Sequence, residues 1–235
     1  MCYSMGNAIR WLKLQVSKID IDMPVSDAKK LLCDAIDVFI SERITLAGLI
    51  IVMEAAESIQ DGDVVVTYGY HALVERCLSQ AREDGRQFKV VVVDNPDTLS
   101  GQEMAKKVSA CGIPVTYMAN KGGLDVIMKD ATHFMLGAEA VFSNGAVYAR
   151  SGTGSVAMLA EELGVVVVAL CEGINFTDRM AINSITYNEI DPDTTDGYRL
   201  MFDASLPQYV EMIVTEFGIT PPASALAIIR KLEEL

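Results

Sequence analysis

The first sixty or so residues carry apolar positions at the spacing of a helix face. This spacing holds between Tyr3 and Ser17, where apolar residues recur every three or four positions. A proline then breaks the pattern, and Ser26 and Asp27 are residue types that cap helix N-termini. A second run of helical spacing follows them and reaches Ile59. We therefore predict a helical unit over residues 1–60.

The apolar period changes after this unit. Short apolar runs predict strands at Val64–Val66, Val90–Val93, Val115–Met118, Phe134–Leu136, Ala140–Phe142 and Val165–Leu170. Amphipathic segments predict helices at His71–Glu83, Gln102–Ala110, Leu124–Met128, Val156–Leu163, Tyr209–Glu216 and Ala223–Leu232. Strands that alternate with helices form βαβ units with right-handed crossovers. We therefore predict an α/β fold, in which a Rossmann-like parallel sheet flanked by helices occupies residues 61–235.

The loops that follow the strands are the places to look for chemistry, because parallel sheets bind ligands beyond the carboxyl ends of their strands. These loops are Thr67–Tyr70, Asp94–Gly101, Ala119–Gly123, Leu136–Asn144 and Cys171–Phe176. The first of them holds a single glycine, so the dinucleotide fingerprint GxGxxG does not follow the first strand, and the chain has no Walker A motif. Gly152 and Gly154 either form a tight turn into a helix or aim backbone amides at an anion.

Candidate catalytic side chains are few. His71 and His133 have no partner at a recognisable spacing, so we interpret both as structural histidines. Cys171 follows a strand into a loop on the ligand side, where a buried thiol is the preferred interpretation over a nucleophile. Three carboxylates also end strands on that side, with structural and catalytic use both open: Asp94, Glu139 and Glu172.

Composition narrows the class of protein. The chain is 51% hydrophobic and carries a net charge of −13. Such an acidic surface repels phosphate backbones, so we expect no direct nucleic-acid binding. The five cysteines include no CxxC pair and indicate free thiols in a reducing compartment, without a zinc site. No signal peptide is evident and the apolar runs are too short to span a bilayer. We expect a cytoplasmic protein without a membrane segment, metal or cofactor.

Several segments taken together resemble the delta-type regulatory subunits of eukaryotic translation initiation factor 2B. The likeness runs from about Ile40 to the C-terminus. It is carried by Gly62–Gly69, Val91–Asp94 with Leu99–Gly101, Leu136–Val141 with Asn144–Gly145 and Gly152–Thr153, Cys171–Phe176, Asn188–Pro192 and Ile213–Ser224. The last of these resembles the delta-type ending in particular. The resemblance implies a Rossmann-like fold in a protein that acts through assembly.

The same superfamily contains methylthioribose-1-phosphate isomerase and a ribose-bisphosphate isomerase. The resemblance implies that Gly69 stands at the isomerase's cysteine and Asn120 at its aspartate, while Pro96 lies in the loop that would hold an arginine. We therefore predict no catalytic residues and a vestigial pocket formed by Gly69, Pro96, Asn120, Glu139, Asn144, Gly152 and Thr153. Two alternatives remain: an isomerase with relocated groups such as Cys171 and Glu139, or a pocket that binds a phosphorylated metabolite without turnover.

The resemblance also implies partners. Delta-type subunits pair with beta, join alpha, and carry the catalytic gamma and epsilon subunits that exchange nucleotide on initiation factor 2. The helical unit would face the alpha subunit of factor 2, with Arg43, Glu54 and Glu57 bordering that contact. The segment around Val210 and Phe217 would contribute to a dimer face, with ordinary core packing as the alternative. A homodimer of the isolated chain is a further expectation.

Overall fold

The N-terminal segment is a nearly continuous helical run, as its pattern predicts. The computed structural model describes residues 2–192 and 197–234. Helix α1 covers Tyr3–Ser17, α2 covers Val25–Ile40, and a π-helical turn at Ser41–Leu46 leads into α3 at Ala47–Glu57. The second helix begins directly after Pro24, and the Ser26 hydroxyl contacts the Asp27 carboxylate, so it caps no backbone amide.

Five strands beyond the predicted set complete the α/β part. The strands are β1 Val64–Tyr68, β2 Lys89–Val93, β3 Val115–Met118, β4 His133–Gly137, β5 Ala140–Phe142, β6 Val147–Arg150, β7 Val166–Leu170, β8 Phe176–Thr177, β9 Phe202–Ser205, β10 Met212–Thr215 and β11 Gly218–Thr220. The helices are α4 Ala72–Glu83, α5 Gly101–Ala110, α6 Leu124–Met128, α7 Thr153–Glu162 and α8 Ala225–Glu234. The predicted mixed fold with a mainly parallel sheet is confirmed.

The strands form two sheets. The larger has the order β11-β10-β7-β4-β1-β2-β3, and all its pairings are parallel except β10 with β11. The smaller has the order β8-β5-β6-β9. From β1 the chain adds β2 and β3 on one side of the sheet, and then adds β4 and β7 on the other side. The direction in which strands are added therefore reverses between β1 and β4, although these two strands are parallel. A ligand crevice is expected at such a switch point.

Apolar side chains cover both faces of the larger sheet. One layer packs α7 and α8 on the sheet and includes Phe134 and Ile213, both fully or almost fully buried. The opposite layer packs α3, α4 and α5 and includes Met135 and the fully buried Ile51 of α3. The division of the chain after residue 60 therefore stays a prediction. Because α3 packs on the sheet, its contacts favour a domain boundary near the beginning of α3 instead.

Helix α1 docks on the rest of the chain through polar and aromatic contacts. The Asn7 side-chain amide donates hydrogen bonds of 2.8 Å each to the carbonyl oxygens of Ile174 and Phe176. The Tyr3 ring packs edge-on against Phe142 and Tyr148 of the smaller sheet. Neither α1 nor α2 has a buried residue, so most of their surface faces outward. No helix within the described ranges is long and apolar enough to cross a membrane.

The predicted helix at Tyr209–Glu216 is wrong, because this segment contains β10. Val210, Ile213, Val214 and Phe217 have helical spacing, which explains the error. Strand β10 instead pairs with β7 on one side and forms a hairpin with β11 on the other. The β-branched residues Ile213 and Val214 favour this outcome because they prefer extended backbone. Gly218, at the start of β11, has φ of +108°, a conformation that glycine adopts readily. Tertiary pairing decides the conformation where the period is ambiguous.

Candidate functional site

The crevice at the switch point between β1 and β4 gathers several charged and polar side chains. His71 follows β1 and precedes the first residue of α4. Glu139 follows β4, Glu172 follows β7, and Glu216 follows β10. The carboxyl ends of neighbouring parallel strands meet at one edge of the sheet, which brings these side chains into the same region.

His71 is packed into the crevice. A side chain at Gly137 would place its Cβ 1.9 Å from the His71 Cγ, so the glycine leaves the room that the imidazole fills. Burial lowers the pKa of His71, against the opposing influence of Glu139 and Glu172. The imidazole is therefore neutral at physiological pH, and its Nδ1 is buried without a hydrogen-bond partner among the described residues. His133, in contrast, lies at the start of β4 with its Nδ1 3.6 Å from the Asp63 carboxylate.

The carboxylates of the crevice are already engaged. Glu139 Oε1 lies 3.4 Å from the Arg150 Nε. Glu172 Oε2 accepts a hydrogen bond of 3.0 Å from the Asn175 side chain. Glu216 Oε2 accepts one of 2.8 Å from the Gly173 amide, and burial raises the pKa of Glu216. These contacts hold loops in place, while the second carboxylate oxygen of Glu216, Oε1, is buried without a hydrogen-bond partner among the described residues.

Cys171 is not an activated thiol. It is fully buried at the end of β7. Burial, with the neighbouring carboxylates of Glu172, Glu216 and Glu139, raises its pKa well above that of an ordinary cysteine. Nucleophilic cysteines need the opposite environment, which stabilises the thiolate. The interpretation of Cys171 as a buried, inert thiol fits this environment.

Tyr68 fills the other half of the crevice. Its hydroxyl donates to the Ser151 carbonyl oxygen over 3.1 Å. A Cβ built on Gly152 would lie 2.1 Å from this hydroxyl, and Gly152 has φ of +104°. Both the close approach and the backbone conformation therefore require glycine. Burial and the nearby carboxylates of Asp203 and Asp94 raise the pKa of Tyr68 to about 12, so the phenol stays neutral.

An internal carboxylate occupies the N-terminus of α7. Asp203 Oδ2 accepts hydrogen bonds from the amides of Gly152 and Gly154, at 2.8 and 3.1 Å. The positive end of a helix attracts anions, so Asp203 takes the place that an external anion could occupy. Gly152 and Gly154 therefore fit both interpretations. They form a tight turn into the helix, and their amides face an anion, which is the Asp203 carboxylate of the same chain.

Asp203 makes stability depend on pH. Burial raises its pKa from 3.8 to about 6, although the two amides and Lys121 oppose this. Because this carboxyl pKa is raised, the contribution of Asp203 to the free energy of unfolding is fully present below pH 4 and is lost as the pH rises through 6. The shift corresponds to about 2–3 kcal/mol. Between pH 4 and pH 7, we expect the free energy of unfolding of wild type, measured with urea, to fall by this amount relative to that of Asp203→Asn.

The exposed carboxylate of Asp130 supplies the control for that measurement. Asp130→Asn removes one negative charge without touching the α7 N-terminus. Its stability difference from wild type should therefore change little across the same pH range. A difference between wild type and Asp203→Asn that is the same at every pH would show that Asp203 does not titrate in this window.

The residues of the predicted vestigial pocket lie in loops that follow different strands. Gly69, with φ of +63°, lies beside the crevice at the end of β1. Asn120 follows the edge strand β3, is exposed, and accepts a hydrogen bond from the Gly122 amide. Three strand spacings of ~4.8 Å separate β3 from β4 within the sheet. The loop after β3 nevertheless turns back toward the crevice, because the Lys121 ammonium lies 3.3 Å from the Ser155 hydroxyl of α7 and 5.8 Å from the centre of the Tyr68 ring. Pro96 is exposed in the loop after β2. That these residues line one site therefore stays a prediction.

The remaining pocket residues have structural contacts. Asn144 lies in the turn between β5 and β6, where its side-chain amide donates to the Ala181 carbonyl oxygen over 2.7 Å. Thr153 begins α7, is buried, and donates through its hydroxyl to the Arg150 carbonyl oxygen over 2.6 Å. Gly69, Glu139, Gly152 and Thr153 of the predicted set lie at or next to the crevice, and Lys121, the neighbour of Asn120, reaches it.

The predicted partner residues are distributed over two regions. Arg43 lies in the π-helical turn, and its charge opposes the rise in the pKa of Glu216 that burial causes. Glu54 and Glu57 lie on α3, and Glu57 is exposed. Val210 is only 5% exposed and belongs to the core. Its burial favours the alternative of ordinary core packing over a contact in a dimer. Phe217 is half-buried beneath the Lys231 ammonium.

Three residues of the crevice were not predicted. Asp203, Tyr68 and Arg150 close it, yet no role was predicted for any of them, although Tyr68 lies in the Thr67–Tyr70 loop. A carboxylate within the otherwise apolar-flanked strand β9 is the one signal that could have identified Asp203. No cluster of three or more potential metal ligands occurs in the described part of the chain.

Comparisons with known proteins agree with this geometry. A family model described as the initiation factor 2 subunit family matches residues 1–222. The translation initiation factor eIF2B subunit delta of Schizosaccharomyces pombe is 37% identical, over 99% of this chain and 55% of that protein. A chain of the tetrameric eIF2B beta2-delta2 complex of C. thermophilum is 48% identical, with a TM-score of 0.89, over 92% of this chain and 70% of that one.

A more distant likeness extends to enzymes. The ribose 1,5-bisphosphate isomerase of Thermococcus kodakarensis is 28% identical, over 75% of this chain and 59% of that protein. The chain spans about half the length of the curated relatives that it matches. The family match over residues 1–222 and the high identity to delta subunits carry the assignment. The chain belongs to the initiation factor 2 subunit family.

Proposed function

We propose that this chain is a non-catalytic regulatory subunit of the initiation factor 2B assembly, of the delta type. The observation that carries the proposal is the 48% identity and TM-score of 0.89 with a chain of the beta2-delta2 complex. The chain would act by pairing with a beta subunit and joining alpha, gamma and epsilon. It would then help to sense the alpha subunit of initiation factor 2, in the cytoplasm.

The crevice supports a regulatory role over catalysis. Aldose–ketose isomerisation requires a positioned acid and base with tuned pKa values. The crevice instead holds a buried thiol with a raised pKa, a neutral imidazole and a carboxylate paired with Arg150. Tyr68 and Asp203 occupy the space and the backbone amides that a phosphorylated substrate would use. The fold is retained while its ligand-side edge is filled by the chain's own side chains.

The test compares assembly with turnover. We expect the purified chain to co-elute with its beta subunit in size-exclusion chromatography, and to leave ribose 1,5-bisphosphate and methylthioribose 1-phosphate unchanged. Reversal of charge at Glu57, an exposed residue of α3, should weaken binding of the factor 2 alpha subunit several-fold while pairing with beta is retained. Glu83→Lys, on the exposed end of α4, is the matched control.

Two results would contradict the proposal. Conversion of either sugar phosphate by the purified chain would favour the isomerase alternative, with Glu139 and Cys171 as the groups to change next. Failure to co-elute with beta, by a chain whose circular dichroism shows it folded, would exclude the assembly role. A homodimer in the absence of beta would agree with the proposal, because an unpaired subunit interface often self-associates.

A further inference from the structure

A groove lies between α1 and the junction of α2 with the π-helical turn. Its volume is about 340 Å³. The rings of Trp11 and Phe39 pack together in it, with centroids 4.2 Å apart and planes tilted by 31°. The full lining consists of Trp11, Gln15, Asp34, Ala35, Val38, Phe39, Glu42 and Arg43. The groove therefore combines an aromatic surface with carboxylates.

The carboxylates of the groove lack cationic partners. No ion pair among the described residues includes Asp34 or Glu42. Arg43 is the one cation in the lining, and its charge also acts on Glu216 after β10, where it opposes the rise in pKa that burial causes. A net negative charge therefore remains beside the two rings. Aromatic faces and carboxylates both attract cations.

The helices around the groove have an uncovered apolar face. Helix α2 has no buried residue, and Val38 and Ile44 are 53% and 50% exposed. Val38 lines the groove, and Ile44 lies between one and two turns further along the same helical run. Apolar surface next to uncompensated negative charge matches an amphipathic protein segment with basic residues better than it matches a small free cation.

We propose that this groove binds an arginine or lysine side chain carried on an amphipathic helical segment of a partner protein. The cation would lie against Trp11 and pair with Asp34 and Glu42, while apolar residues of the same segment would cover Val38. Arginine fits better than lysine, because its planar guanidinium stacks on aromatic rings and pairs with carboxylates. The inference rests on the proposed function, and it names the chemistry by which the helical unit recognises a partner.

The experiment uses the single tryptophan of the chain, which lies in the groove and reports on its occupancy. The probe is a 15-residue amphipathic helical peptide without tryptophan that carries arginine on its polar face. The matched peptide has citrulline, a neutral isostere, in place of arginine. We expect saturable change in Trp11 emission with the arginine peptide, and at least tenfold weaker binding of the citrulline peptide.

Charge variants locate the contact. Asp34→Asn with Glu42→Gln should weaken binding of the arginine peptide about tenfold, since both ion pairs are removed. Asp37→Asn with Asp27→Asn, which changes two exposed carboxylates of α2 outside the lining, should leave binding nearly unchanged. Equal affinity for the two peptides, or equal effects of the two double variants, would overturn the proposal. So would a concentration-dependent change in Trp11 emission without peptide, because a second copy would then occupy the groove.

Pairing with the beta subunit separates this inference from the proposed function. The Asp34→Asn, Glu42→Gln variant should still co-elute with beta. If beta pairs with the wild type but the peptide does not bind, the groove proposal fails while the regulatory function stands. If the arginine peptide binds selectively but beta does not pair, the groove stands as a cation site and the proposed function fails.

Discussion

Gly145→Ala should lower the free energy of unfolding by about 3 kcal/mol or more. Gly145 lies in the turn between β5 and β6 with φ of +80°, where an L-residue costs about 1–2 kcal/mol. An added Cβ would also lie 2.4 Å from the Pro222 carbonyl oxygen, which is backbone and cannot rotate away. Overpacking of this kind typically costs a further 1–3 kcal/mol. Urea unfolding followed by circular dichroism measures the loss.

Gly164→Ala is the matched control for that substitution. Gly164 has φ of +73°, and a Cβ there would meet nothing within 4 Å. Its expected cost is only the conformational part, about 1–2 kcal/mol. The difference between the two variants isolates the contact between the β5–β6 turn and Pro222. Equal losses for Gly145→Ala and Gly164→Ala would show that the turn moves freely away from Pro222.

Ile51→Ala should cost about 2–5 kcal/mol of unfolding free energy. Ile51 is fully buried on α3, in the layer that contains Met135 of β4 and Val214 of β10. Truncation of a buried isoleucine removes its transfer free energy and leaves a cavity between helix and sheet. Chemical denaturation followed by near-ultraviolet and far-ultraviolet circular dichroism measures the effect.

The neighbouring Leu49 provides the comparison, because it lies on the same helix and is 45% exposed. Leu49→Ala should cost less than about 1 kcal/mol. We expect both variants to unfold in one transition, since α3 shares its core with the sheet. A separate early transition that Ile51→Ala alone shifts would mean that residues 1–60 fold as an independent unit, as their sequence pattern suggests.

The central strands could be predicted from the sequence because both of their faces are buried. Valine runs such as Val64–Val66 and Val90–Val93 are apolar at every position, and glycines or polar residues bound them. Strand β6 was missed although it forms a hairpin with β5 across the Asn144–Gly145 turn, and Asn-Gly between two apolar runs is a local hairpin signal. Strand β9 was missed because its partner β6 lies about fifty residues earlier in the chain. The pairing of β9 depends on contacts that no local pattern contains.

The candidate site was harder to predict than the fold. Loops at the carboxyl ends of strands were identified correctly as a class, because the rule follows from parallel topology. The order of the strands did not follow from the sequence, so the grouping of Asn120 with Glu139 rests on the resemblance alone. Asp203 escaped notice because its hydrogen bonds reach back to Gly152 and Gly154, about fifty residues earlier.

The packing of α3 against β10 has a consequence for synthesis on the ribosome. Ala47–Glu57 emerges early, yet the strand that covers part of its apolar side, Met212–Thr215, is translated more than 150 residues later. Until then Ile51 and its neighbours have no complete core, and a nascent chain with exposed apolar surface is prone to aggregate. Closure of so long a loop also slows folding. Nascent chains of this protein should therefore depend on chaperones until their last strands leave the exit tunnel.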